Sequence, residues 1–257
     1  MITLSATQLY GWFAQLFWPF VRIGSCFMVA PAFGATAVPV RIRLVLAGAV
    51  ALLVSPLVSV PDVTPLSAAG IAITVQQVII GAALGFSLQI LFEAVTMGGE
   101  VLANSMGLSL AFNLDPINGA STPALGQLYT ILVTLLFLLL DGHLALIRVL
   151  VAGFHTLPVG ASGFGPSGLW SIVTWGSQLF SGALAVSLPG VTALLVANLA
   201  FGVVSRAAPT LNIFSVGLPV ALVLGLIALI AGLPTLETSF IRLLGTTLAF
   251  LGHLSGA

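Results

Sequence analysis

The sequence predicts an all-α fold, a multi-helix hydrophobic protein with kinked helical hairpins, and three observations carry that reading. Of 257 residues 59% are hydrophobic and 5% are charged, against roughly 25% charged in an ordinary soluble domain, so there is too little polar surface to cover a globule in water. The apolar residues run in stretches close to the 20 or so that a helix needs to cross a bilayer. Prolines 19, 56 and 189 stand inside those runs, where each removes a helical hydrogen bond and invites a kink.

Taken in chain order, the apolar runs predict helical segments at roughly 9 to 33, 43 to 60, 69 to 95, 127 to 152, 171 to 204 and 216 to 233. The first charge is Arg22, so the positive n-region of a cleaved signal peptide is missing and the first segment is expected to be retained. Kinked helices are tolerated at membrane depth only where protein or water covers the freed backbone, which points to burial against neighbouring subunits. Gly81 to Gly85 on the third segment is a GxxxG, a close-packing pattern that is weak in a chain so rich in Gly and Ala. The fifth run is too long for one simple span. Leu236 to Leu254 carries Glu237, Arg242 and His253 among Phe240, Leu243, Leu244, Leu248 and Leu251, and reads as a separate amphipathic helix. In a six-span arrangement Arg41, Arg43 and Arg206 fall on one side and Arg148 and Arg242 on the other, so the positive-inside rule sets no orientation. An "AP" followed by "PV" occurs at 30 to 40 and again at 208 to 220, too faint an echo for the repeat of a secondary transporter.

Composition excludes several classes of function. Six Arg, no Lys and six acidic residues give zero net charge, without the basic footprint of a nucleic-acid binder. Cys26 stands alone, which excludes an internal disulfide and a multi-Cys metal site. Gly163 to Gly168 matches GxGxxG in letters, but a dinucleotide fingerprint needs a strand before it and a helix after it in a βαβ unit. No GxSxG, HExxH or P-loop is present, so no enzyme activity and no cofactor are expected.

What remains is a handful of charges where charge is costly. Glu93 and Glu100 are seven apart and share a face if their helix runs through Gly98-Gly99; they are either a proton or ion relay or paired, hydrated carboxylates at a helix end. Asp141-Gly142-His143 interrupts the run Leu135 to Leu140 with a spacing that suits a turn or cap. Arg148 lies within reach, so Asp141 either pairs with it or with nearby backbone, or transfers protons. Arg206 closes a long apolar run and Pro209 stops it; a pairing of Arg206 with a carboxylate, its own or a partner's, is expected. His155 and His253 read as loop or interface residues.

Four blocks then carry a family resemblance. They are Glu100-Val-Leu-Ala-Asn-Ser-Met-Gly-Leu-Ser-Leu-Ala-Phe-Asn-Leu-Asp115-Pro116, Phe137-Leu-Leu-Leu-Asp141-Gly142-His143-Leu-Ala-Leu-Ile, Phe154-His-Thr-Leu-Pro158-Val-Gly160, and Leu199-Ala-Phe-Gly-Val-Val-Ser-Arg206-Ala-Ala-Pro209-Thr-Leu-Asn212-Ile-Phe214. In wording, order and spacing they resemble the signature of the FliR family of flagellar biosynthetic proteins, over essentially the whole chain. The related injectisome export-apparatus family shares the architecture, and the DP, DGH and SRAAP wording favours the flagellar branch. The resemblance implies a non-enzymatic subunit of the flagellar type III export gate, one domain over 1 to 257 with a FliP-like part to about 170 and a FliQ-like part after it. It implies FliP and FliQ as partners in a closed helical assembly, FlhB beside them, and unfolded exported proteins as passengers. The implied location is the flagellar basal body at the bacterial inner membrane, largely above the membrane plane. It also implies that the loop from about Ser105 to Pro123 plugs the central pore. There Met106, Leu108, Leu110, Phe112 and Ile117 can fill a constriction, while Asp115-Pro116, Asn118-Gly119 and Ser121 to Pro123 supply turns. A packed interhelical connection is the alternative for that loop, although connections past about 12 to 15 residues are usually functional or disordered. A secondary transporter, with Glu93, Asp141 and Arg206 as its polar site, is the alternative for the chain.

Overall fold

Proline and glycine set the limits of the helices, though not always where the sequence places them. The structure, a computed structural model, describes residues 6–31, 33–34, 38–108, 124–160, 163–207 and 217–256. Among these the elements are α1 (Ala6–Val29), α2 (Val40–Val54) with a 3₁₀ turn (Ser55–Leu57), α3 (Ala68–Ser105), α4 (Ala124–Leu139), α5 (Gly142–Thr156), α6 (Pro166–Trp175), α7 (Ser177–Ala207) and α8 (Leu218–Ser255), with no strand. The all-α prediction holds.

Four local differences have physical causes. Pro56 ends a helix instead of kinking one: α2 stops at Val54 and Pro56 sits in the 3₁₀ turn, where a missing N–H costs little. The expected fourth segment is broken at Asp141, a left-handed residue with φ 54° and ψ 27° that separates α4 from α5. The fifth is broken at Gly176, between α6 and α7. The sixth run and the expected amphipathic helix are one element, because α8 passes through Pro234 without ending. By length and composition four described helices could cross a membrane, or five if α4 and α5 count as one broken span, and α1 is not among them. Gln15, Arg22 and Ser25 dilute its apolar content.

α3 is the longest buried element. Ser67 caps its start, its Oγ accepting from the Gly70 N–H at 3.0 Å, the usual way a serine satisfies an orphan first-turn donor. The helix then runs unbroken through Gly98-Gly99 for 38 residues, about 57 Å and nearly twice the hydrocarbon thickness of a bilayer.

The chain forms two compact units. One comprises 1–90, 140–176 and 245–257, the other 91–139 and 177–244. In the first, α1 and α3 run parallel and touch backbone to backbone: a Cβ on Gly81 would overlap the Arg22 carbonyl, and one on Gly85 would lie 2.7 Å from the Cys26 carbonyl. The GxxxG is therefore a real seam, since only glycine permits that approach. The Trp175 ring stacks on Phe250 with centroids 4.0 Å apart and donates its indole N–H to the Ser87 carbonyl at 3.3 Å. In the second unit α7 lies parallel to the end of α3, with Gly182 against Ala94, Gly98 against Val186 and Gly190 against Leu102. Those contacts recur every four residues, the spacing of one helix face.

Candidate functional site

The stem of the candidate plug is an antiparallel helical hairpin within the second unit. Phe92 meets Phe137 edge to face at 5.4 Å, Thr96 and Thr130 share a hydrogen bond of 2.8 Å, Gly99 lies against the Tyr129 ring, and Glu100 packs its methylenes on Gly126. These pairs climb α3 and descend α4, so the end of α3 and the start of α4 stand side by side.

The way α3 ends defines where the loop begins. Gly107 is left-handed at φ 79°; its N–H bonds the Asn104 carbonyl at 3.0 Å, and the Leu108 N–H bonds the Ala103 carbonyl at 3.1 Å. That pair of bonds is a Schellman stop, in which glycine takes a conformation costly to other residues. Met106, one residue earlier, is fully buried and packs on Gly225 of α8, whereas Leu108 is exposed. Met106 thus belongs to the anchor and Leu108 to the departing loop. Leu110, Phe112, Asp115, Pro116 and Ile117 lie outside the described residues.

The predicted charges divide between the units, Asp141, His143 and Arg148 in the first and Glu93, Glu100 and Arg206 in the second. Glu93 and Glu100 do share a continuous helix, Glu93 exposed and Glu100 half-buried. Asp141 is exposed, and its carboxylate makes no capping hydrogen bond; its backbone carbonyl instead accepts from the Leu144 and Ala145 N–H groups, both at 3.0 Å. Arg148 is exposed as well, and the two form no ion pair among the described residues. His143 is half-buried, and its Nδ1 has no hydrogen-bond partner among the described residues. Arg206 is exposed in the last turn of α7, where a cation favours the negative end of the helix dipole. Pro209 lies outside the described residues.

Sequence reasoning missed Arg22. It is 1% exposed, its Nε donates to Gln77 Oε1 at 2.7 Å, its two terminal nitrogens donate to the Gly153 and Leu157 carbonyls at 3.1 and 2.8 Å, and its guanidinium lies 4.2 Å from the centre of the Phe154 ring. A buried cation is costly unless its donors are satisfied. Here the satisfaction comes from the C-terminal end of α5, where the dipole is negative; the Gly153 carbonyl also accepts the Leu157 N–H at 3.0 Å, so Arg22 is its second donor. One side chain therefore ties α1, α3 and α5 together. The available signal was a lone arginine in an apolar run, which must find partners to be tolerated.

The fold defines a class: a helical, apolar protein with four or five described helices long and apolar enough to cross a membrane. Comparison with known proteins narrows the class. The family description "Bacterial export proteins, family 1" matches residues 13–247. The flagellar biosynthetic protein FliR of Escherichia coli (strain K12) is 38% identical over 240 residues, 93% of this chain and 92% of the relative. That of Pectobacterium carotovorum subsp. carotovorum is 37% identical over 229 residues, 89% and 88% of the two chains, and that of Bacillus subtilis (strain 168) is 28% identical over 214 residues, 82% and 83%. The chain belongs to the FliR family of bacterial export proteins and is a component of the flagellar export apparatus.

Proposed function

We propose that this component is a non-enzymatic subunit of the flagellar export gate, which forms with FliP and FliQ the closed pore that passes unfolded flagellar subunits, with FlhB as a neighbour at the inner membrane. The observation that carries the reading is the hairpin of α3 and α4: a stem locked by Gly99 on Tyr129 and Glu100 on Gly126 delivers a loop whose first residues are a buried anchor, a left-handed glycine and an exposed leucine. A seal for a pore that must yield to any sequence needs a fixed mount and a soft, weakly charged stopper. Residues 108 to 123 contain one charge, Asp115. Helix length supports the placement of the assembly mostly outside the lipid, since α3 and α8, at 38 residues each, exceed what a bilayer of about 30 Å accommodates. The FliP-like part to about 170 and the FliQ-like part beyond it belong to the same proposal.

Deleting Gly107 to Gly119 and bridging with a short Gly/Ser link tests the plug. The expected outcome is an assembly with FliP and FliQ that forms as before but leaks ions when no filament is growing. An assembled complex as tight as the intact one would make the loop a connection; failure to assemble would make it a structural part of the stem.

A further inference from the structure

Arg22 is a buried cation whose described partners are all neutral. Its three hydrogen bonds go to an amide oxygen and two backbone carbonyls, and its guanidinium faces the Phe154 ring. The acidic side chains of the same unit, Asp62 and Asp141, are both exposed, and no described carboxylate pairs with Arg22. Hydrogen bonds satisfy its donors, but they do not neutralise a charge taken out of water.

Two further donors stand beside it without an acceptor. Gln77 is fully buried and its Oε1 is held by Arg22 Nε at 2.7 Å, while its Nε2, on the same amide carbon, has no hydrogen-bond partner among the described residues. Reversing the amide gives no relief, because it would set the amide N–H groups against a guanidinium that can only donate. Trp18 stands one turn before Arg22 on α1, on the same helix face. It is fully buried too, and its indole N–H likewise has no partner among the described residues. An indole nitrogen only donates, and a buried donor left unsatisfied is costly.

We propose that Arg22, Gln77 and Trp18 form a buried anion site that holds one monatomic anion of the chloride type. The ion accepts from Gln77 Nε2, from Trp18 Nε1 and from the guanidinium N–H groups that the three existing bonds leave over. A water accepts from the same donors yet leaves the charge uncompensated, whereas an anion answers both. Enclosure favours a monatomic ion over a polyatomic oxyanion, since all three side chains are exposed by 1% or less. The site lies wholly within the first unit, whereas the stem of the candidate plug belongs to the second.

The test uses the full-length chain, purified with whatever subunits accompany it, at constant ionic strength with gluconate in place of chloride. Its thermal midpoint should climb with chloride, by an equal step for each tenfold increase above half-saturation, as for a ligand bound by the folded state alone. Trp18→Phe removes one donor and should weaken the apparent chloride affinity about tenfold, the lower value for a hydrogen bond to a charged group. Gln77→Glu supplies a carboxylate to the guanidinium and removes an orphan donor, so it should abolish the chloride dependence. If neither variant can be purified, bromide decides on the unaltered chain: crystals grown in bromide should show an anomalous peak in contact with Arg22 and Gln77 Nε2, and no peak there would overturn the proposal. A midpoint equal in chloride and gluconate would overturn it as well, in favour of a buried water. So would a chloride response that Gln77→Glu retains in full, because the ion would then act elsewhere.

Discussion

α3 and α8 have the same length and similar composition, yet they are used in opposite ways. Each has 38 residues; α8 is the more apolar, with mean hydropathy 2.3 against 2.0, but 22% of its most apolar stretch is buried against 61% in α3. Hydropathy therefore does not decide which helix the chain covers with itself. Small residues do. Gly81, Gly85, Gly98 and Gly99 on α3 each meet another helix within 3.1 Å of an imagined Cβ, while on α8 Gly225 meets Met106 but Gly232 and Gly245 meet nothing within 4 Å. Bulky side chains of α8 such as Ile227 and Ile230, 57 and 66% exposed, are left for another partner or for lipid.

One substitution made on both helices would break or sharpen that contrast. Gly81→Leu forces a side chain into the α1 backbone and should cost about 4 kcal/mol, the upper range for overpacking, read as a large fall in the thermal midpoint and in monodisperse yield. Gly232→Leu should leave the isolated chain as stable or slightly more so, by up to about 1 kcal/mol from helix propensity. Equal losses at the two positions would mean that α8 is as tightly packed as α3.

Removing the Arg22 clamp should have the next largest effect. Arg22→Ala leaves the Leu157 carbonyl and the Gln77 amide oxygen without their arginine donor, while Gly153 keeps the Leu157 N–H, a loss of about 3 kcal/mol at 1 to 3 for each of the two groups. Arg22→Lys should recover only part of this, because an ammonium lacks the planar fork that reaches three acceptors at once. Full recovery by lysine, measured by thermal unfolding in detergent, would show that charge alone matters at this position.

The smallest effect is expected at Asp141. Its φ of 54° is one that aspartate tolerates and glycine prefers, and its carboxylate caps nothing, so Asp141→Gly should raise stability by about 0.5 kcal/mol. A clear loss instead would show that the carboxylate has a partner in the assembled apparatus.

Much of this molecule is legible in its sequence, because composition and run length act locally. A chain with 5% charge must be covered by something other than water, its apolar runs of about 20 residues suit helices, and the Gly107 stop and the Asp141 break were foreshadowed by turn-forming residues inside apolar runs. The four blocks from Glu100 to Phe214 likewise led to the family. Tertiary structure alone decided the rest. Whether α3 passes through Gly98-Gly99 depends on Val186 and Tyr129 filling the space beside them, since local propensity argues for a break there, and α8 continues through an exposed Pro234 where local propensity argues for a break as well. Arg22 shows the limit most plainly: its carbonyl acceptors lie 131 and 135 residues away. No periodicity in the sequence encodes a contact at that separation, because hydrophobic pattern reports which face of a helix is apolar and not which partner will cover it.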